Sequence, residues 1–188
     1  MNKLGPIGVG LFLWAMMATL PANAYILAQQ NPVDDCRIPV AATLEPAFVP
    51  QNVINELLDW IAEATDYDLG DARINPPAIT FCSTGDIIPY ETDHVLVNDT
   101  LSGAYDLLNR RIILVRPWDP DEIRDRSVLL HELIHHVQLN NRGYECVQAP
   151  EWEAYQLQEA YLNDHDIASG FDWLQIYFQS QCPRTIHP

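Results

Sequence analysis

The chain has 188 residues, a length that suits one domain with a substantial core. Its 26 acidic residues outnumber its 10 basic ones, for a formal charge of −16 at pH 7. That balance argues against nucleic acid or an anionic membrane as a partner, and it favours solubility without indicating a substrate.

At the N-terminus, Lys3 precedes a mostly apolar run from Pro6 to Leu20, and Ala22-Asn23-Ala24 follows. These are the charged, apolar and small-residue parts of a secretory signal peptide over residues 1–24, with cleavage expected after Ala24. The run is short for a bilayer span, and no Cys follows Ala24 to carry a lipid. The expectation is a single mature domain over residues 25–188, exported to the periplasm or the cell exterior, with no stable membrane insertion after cleavage. Four cysteines, Cys36, Cys82, Cys146 and Cys182, make an even number in an exported chain and read as two disulfides. None is spaced as a Cys-x-x-Cys metal pair.

Tyr25 to Pro50 is proline-rich and irregular. Val53, Leu57, Ile61 and Ala64 recur at helical spacing and predict a helix over 51–65. Asp66, Asp68 and Asp71 hint at a calcium loop, but Gly70 is misplaced and Pro77 stands where a closing Glu belongs, so a turn is the better reading. Strands are expected at 78–82 and 94–97. A hairpin follows, its first strand near Ala104-Tyr105-Asp106 and its second the β-branched run 111–116. Asp119 and Pro120 look like the N-cap and first residue of a long helix running to about Asn140. Two more helices are predicted, from near Pro150 to Asp164 and from Phe171 to Ser180. An antiparallel pairing of those two would bring Cys146 to Cys182, leaving Cys36 for Cys82. One helix, then strands, then three helices argue for an α+β fold.

The long helix contains His131-Glu132-Leu133-Ile134-His135. Histidines at i and i+4 lie about 40° apart on one helical face, so two imidazoles can share a metal ion, normally zinc. Glu132 is on the same flank and can act as general base toward a metal-activated water. Three histidines in six residues can also be a wet helix face. Against that, Leu130, Leu133, Ile134 and Val137 form an apolar arc, so the helix is buried and its polar residues need partners.

This motif, with Val137-Gln138 after it and Glu151-Trp152-Glu153-Ala154-Tyr155 further on, resembles the zincin metallopeptidases. The likeness is strongest to the gluzincin branch, and the arrangement also resembles small secreted bacterial proteins of unknown function. It covers about residues 104–165. The metzincin extension is absent, since Gln138 and Asn141 stand where a Gly and a third His belong. The resemblance implies a minimal zincin-like domain: a small, partly antiparallel sheet packed on the motif helix, then two C-terminal helices. It implies a third zinc ligand from a Glu on the following helix.

Glu145, Glu151 and Glu153 are the candidates for that ligand. Glu151 and Glu153 point about 200° apart on a helix, so only one faces the metal. Glu153 shares a face with Ala154, Leu157, Ala160 and Tyr161, where a buried carboxylate needs a partner. The expected set is therefore His131, His135 and Glu153 around Zn²⁺, with Glu151 as a first-turn acid favoured by the helix dipole. Tyr144, Tyr161, His165 and Tyr177 are candidate oxyanion donors.

The expected activity is zinc-dependent hydrolysis of a peptide or protein, with Glu132 catalytic. A reading of another class is a secreted zinc-containing binding or inhibitory protein without turnover. Glu132 weighs against it, because holding a metal needs no base there. Glu91-x-x-His94 could pair with Glu132-x-x-His135 as a di-iron site, but that requires a four-helix bundle.

Overall fold

The computed structural model describes residues 48–183. Along these the chain runs through helices α1 (Gln51–Ala64) and α2 (Gly70–Ile74) and strands β1 (Ala78–Cys82), β2 (Ile87–Tyr90), β3 (Asp93–Leu96), β4 (Gly103–Asp106) and β5 (Arg111–Val115). Helices α3 (Ile123–Asn141), α4 (Glu151–Asp164) and α5 (Trp173–Gln179) complete it. The architecture is the expected α+β arrangement, a small mixed sheet packed on α3 with two helices after it. The expected signal peptide and Cys36 lie outside the described residues.

Strand β5 is the centre of a three-stranded sheet of order β1-β5-β4, parallel to β1 and antiparallel to β4. Its apolar run suits a strand buried on both faces. Ile112 and Leu114 join the main core with α1 and α3, while Ile113 and Val115 pack with Ile88 and Val97 beneath the β2–β3 hairpin. Among the described strands, β4 lies at an edge of this sheet.

Helix α3 is buried without a break from Leu129 to Gln138. Its Leu130, Leu133, Ile134 and Val137 are fully covered in the main core. His131, Glu132 and His135 project elsewhere, so this helix has an apolar face toward the core and a polar face toward a cleft.

Several element edges differ from expectation. Helix α3 starts at Ile123, not at Pro120. The Asp125 carboxylate reaches back to accept the Asp119 amide at 2.7 Å, and Trp118 Nε1 donates to Asp125 O, so Asp119–Glu122 is a turn held against the helix start. Strand β2, containing Pro89, pairs with β3 in a two-stranded ladder that no periodicity announced. The acidic stretch after α1 is a turn: Asp68 accepts its neighbour Gly70's amide and Asp71 pairs with Arg110. Asn98 Oδ1 accepts from Thr100 and Leu101, closing the turn before β4. Helix α5 begins at Trp173, where the Asp172 side chain accepts the Leu174 and Gln175 amides.

The Cys146–Cys182 disulfide is present, joining the loop before α4 to the end of α5. Cys82 is also disulfide-bonded, and no described cysteine is free. No described helix is long and apolar enough to cross a membrane.

Candidate metal centre

His131 and His135 project from α3 one turn apart, and their Nε2 atoms are 3.0 Å from each other. Helix α4 begins with Glu151, which lies against both: one carboxylate oxygen is 3.3 Å from His131 Nε2 and the other 3.3 Å from His135 Nε2. Among the described residues, these three form the group able to hold a metal ion. Around a tetrahedral ion with bonds of about 2.0–2.1 Å, ligand atoms stand roughly 3.3 Å apart, which these spacings match.

The surrounding hydrogen bonds set the rings in a metal-binding state. His131 Nδ1 is 3.1 Å from Gln158 Oε1, and Gln158 Nε2 donates onward to Ser127 Oγ, whose hydroxyl donates to Arg124 O. His135 Nδ1 is 3.1 Å from Gln138 Oε1, and Gln138 Nε2 donates to Pro150 O and to Glu153. An amide oxygen can only accept, so each Nδ1 carries a proton, and in the neutral ring this leaves the Nε2 lone pair facing the cluster. With both rings neutral, two lone pairs and a carboxylate converge. A divalent cation is the partner this donor set fits.

Glu153 is not in the cluster, and the expectation that it would be a ligand is corrected. Its carboxylate accepts from Tyr67 Oη at 2.6 Å, from Gln138 Nε2 at 2.9 Å and from Arg142. The partner that a carboxylate on this face needs is the Arg142 guanidinium just past the end of α3. Because α4 starts at Glu151, its first residue meets the histidines while Glu153 turns toward α2's approach and Arg142. Glu153 still reaches the site indirectly, since it orients the Gln138 amide that holds His135.

Burial raises the Glu132 carboxyl above the ordinary carboxylate range, against the pull of His131 and His135. Burial also acts to raise Glu151, but hydrogen bonds to both histidines outweigh it and hold Glu151 low. Glu132 stands beside Gly103 of edge strand β4. A Cβ at Gly103 would lie 2.9 Å from Glu132 Oε1 and 2.9 Å from Val128 Cγ1, so only glycine lets the strand approach this closely. His136, the third histidine of the run, is a core residue: Nδ1 meets the Tyr105 hydroxyl at 2.9 Å, and burial lowers its pKa to about 4.

An open cleft of about 400 Å³ leads to the centre. Tyr90, Gly103, Tyr105, Tyr144 and Tyr155 line it with the motif residues. Tyr155 packs its ring edge-on to His131 at 4.5 Å. Of the expected oxyanion donors, Tyr144 lines this cleft, whereas Tyr161 packs on Trp60 and Tyr177 on Trp152, and His165 bonds Tyr161 O. Gln158 and Tyr155 touch His131 and Gln138 touches His135, and none of the three was expected as a site residue from the sequence. Glu91 and His94 sit on the β2–β3 hairpin, outside the metal group, so no di-iron pairing forms.

Fold and site thus define an α+β domain with a two-histidine, one-glutamate centre able to hold a metal. The chain belongs to the family described as a domain of unknown function (DUF6647), whose model matches residues 46–188. No curated protein and no solved structure matches it.

Proposed function

We propose that this protein is a zinc-dependent hydrolase acting on a peptide or protein. The observation that carries the reading is the convergence of His131 Nε2, His135 Nε2 and the Glu151 carboxylate beside a buried glutamate at an open cleft. Zinc suits this donor set, and when bound it supplies Lewis-acid activation of a water and of the scissile carbonyl.

The chain's own residues do the rest. Gln158 and Gln138 hold the imidazole rings in one tautomer and orientation. Glu132 accepts the water's proton on its carboxylate and hands it to the leaving amine. Tyr155 and Tyr144 are the hydroxyls on the cleft wall suited to meet a developing oxyanion. The edge of β4 offers backbone groups to an extended chain, which favours a peptide over other carbonyl substrates. Resemblance to the gluzincins points the same way. The Cys146–Cys182 bond belongs to the kind that persists in oxidising compartments and supports an exported, periplasmic or extracellular, location.

Metal analysis of the mature protein, with peptide-library cleavage by wild type and Glu132→Gln, tests the reading. We expect zinc in both and cleavage by wild type, slowed about 10²–10⁴-fold in the variant. Near-wild-type turnover in Glu132→Gln excludes the mechanism. Zinc retained with no cleavage by either protein leaves a zinc-containing binding protein.

A further inference from the structure

Arg73, Arg110, Arg111, Arg126 and Arg142 each sit on a carboxylate, as expected in so acidic a chain. Arg116 donates to Phe81 O and lies over the Phe81 ring. Arg124 is different. Its Nη2 donates to the neutral Ala168 carbonyl at 2.9 Å, and no described carboxylate pairs with it. Among the described residues that bond anchors the guanidinium, and it leaves other N–H donors for a guest.

Arg124 is an exposed residue of α3 that also borders the candidate metal centre. It lines a second cavity, of about 310 Å³, whose wall includes His131 and Glu132 of the metal centre along with Ser102, Ser127 and Tyr155. Arg124 precedes His131 by almost two full helical turns, so both lie on one stripe of α3, about 10.5 Å apart along the axis. Glu132 is the acidic residue of this lining and Arg124 the basic one. The cavity therefore runs from the candidate metal centre to a positive end at Arg124.

Strand β4 gives the cavity a direction. Gly103 abuts Val128 and Glu132, while Tyr105 meets His136, so β4 runs in the same sense as α3. An extended guest paired antiparallel to β4, the more stable ladder, sends its C-terminal part toward Ser102 and Arg124. At about 3.3–3.6 Å per residue, the stretch from the metal centre to Arg124 holds two or three residues.

We propose that Arg124 binds a carboxylate of the substrate two or three residues C-terminal to the cleaved bond. This rests on the hydrolase reading for the word "cleaved", though not for the binding itself. A guanidinium recognises carboxylates through paired N–H donors, and two sources supply that group: the terminal α-carboxylate of a short peptide, or an Asp or Glu side chain within a longer one.

The test reads binding without turnover. Zinc-loaded Glu132→Gln protein, ¹⁵N-labelled at arginine, is titrated with acetyl-Ala-Phe-Gly-Ala as free acid, with its C-terminal amide, and with the amide carrying Asp at the last position. The Arg124 Nε–H resonance is assigned by its loss in R124A. An acidic peptide is expected to shift that resonance and to bind at least about tenfold more tightly than the neutral amide, an advantage that R124A abolishes.

Tight binding of the free acid alone identifies the terminal carboxylate, and of the Asp amide alone an acidic side chain. Equal binding of all three peptides, no shift at Arg124, or an advantage surviving in R124A overturns the proposal. Turnover of the same peptides by the wild-type protein is scored separately. Carboxylate preference without cleavage keeps this site and removes the hydrolase reading; cleavage without preference does the reverse.

Discussion

At the scale of single residues, the centre separates ligands from the groups that hold them. Glu151→Ala removes a donor atom and should abolish tight zinc binding. Glu153→Ala should retain stoichiometric zinc, because Glu153 acts only through Gln138 and His135. Loss of such an outer partner typically weakens metal affinity about 10–100-fold. Zinc titration of the two variants against a chelating indicator checks this, and the reverse ranking would restore Glu153 as the ligand. Tyr155→Phe keeps the ring against His131 but deletes the hydroxyl. If that hydroxyl meets the oxyanion, kcat should fall by about 10²–10³ with little change in KM. An unchanged kcat would leave Tyr155 a packing residue.

At the scale of elements, the contact between α3 and the edge strand sets the position of Glu132. Gly103→Ala would drive a methyl group into Glu132 Oε1 and Val128 Cγ1, each 2.9 Å from the new atom. The carboxylate is the freer of the two to move, so the expected result is a folded protein with turnover reduced about 10²-fold, the usual cost of misplacing a reacting group by an ångström. Circular dichroism alongside kinetics separates this from unfolding.

Strand β4 ends at Asp106, a fully buried carboxylate that binds Arg111 at 3.0 Å and caps the turn at Asn109. Burial acts to raise its pKa, but hydrogen bonds from Asn109, Arg111 and the Glu91 backbone outweigh it, so it lies below the ordinary value. A depressed folded pKa stabilises the native state above the unfolded value near pH 4, and that contribution fades as pH falls through the lower folded value. Asp106→Ala should cost about 3 kcal/mol at pH 7, since it leaves Arg111 half-buried without its partner. Urea denaturation should show the wild-type–variant gap shrinking in acid; a gap independent of pH would contradict this assignment.

At the scale of the whole molecule, the disulfide and the candidate metal centre border the same cleft. The Cys146–Cys182 bond closes a sequence separation of 36 residues and holds the loop that leads into Glu151. In the chain-entropy model a loop of that length is worth roughly 3–4 kcal/mol. A Cys146→Ser/Cys182→Ser protein should therefore melt lower and also bind zinc more weakly, because Glu151 is then less well placed. Zinc should in turn stabilise the native protein, by about 2.7 kcal/mol at a hundredfold excess over Kd. Thermal melts with and without chelator measure both effects. A double variant with unaltered zinc affinity would show that the loop is positioned by α4 packing alone.

What was legible in the sequence is what a single helix or strand decides. His131, Glu132 and His135 share a face because a helix repeats every 3.6 residues, whatever surrounds it. The run Ile112–Val115 announces a buried strand, and the cysteines flanking the last two helices imply their bridge. The third ligand is not of this kind. Glu151 and Glu153 both begin the same helix, and the choice depends on how α4 is rotated and shifted against α3. The loop from Arg142 to Pro150 sets that docking, and it also delivers Arg142 to neutralise Glu153. Burial was a sound criterion for needing a partner, but it could not distinguish a metal from a guanidinium. The Gln158 amide behind His131, the close approach of Gly103 and the setting of Arg124 on the Ala168 carbonyl likewise exist only between elements. Contacts across elements depend on relative placement, and no local period encodes it.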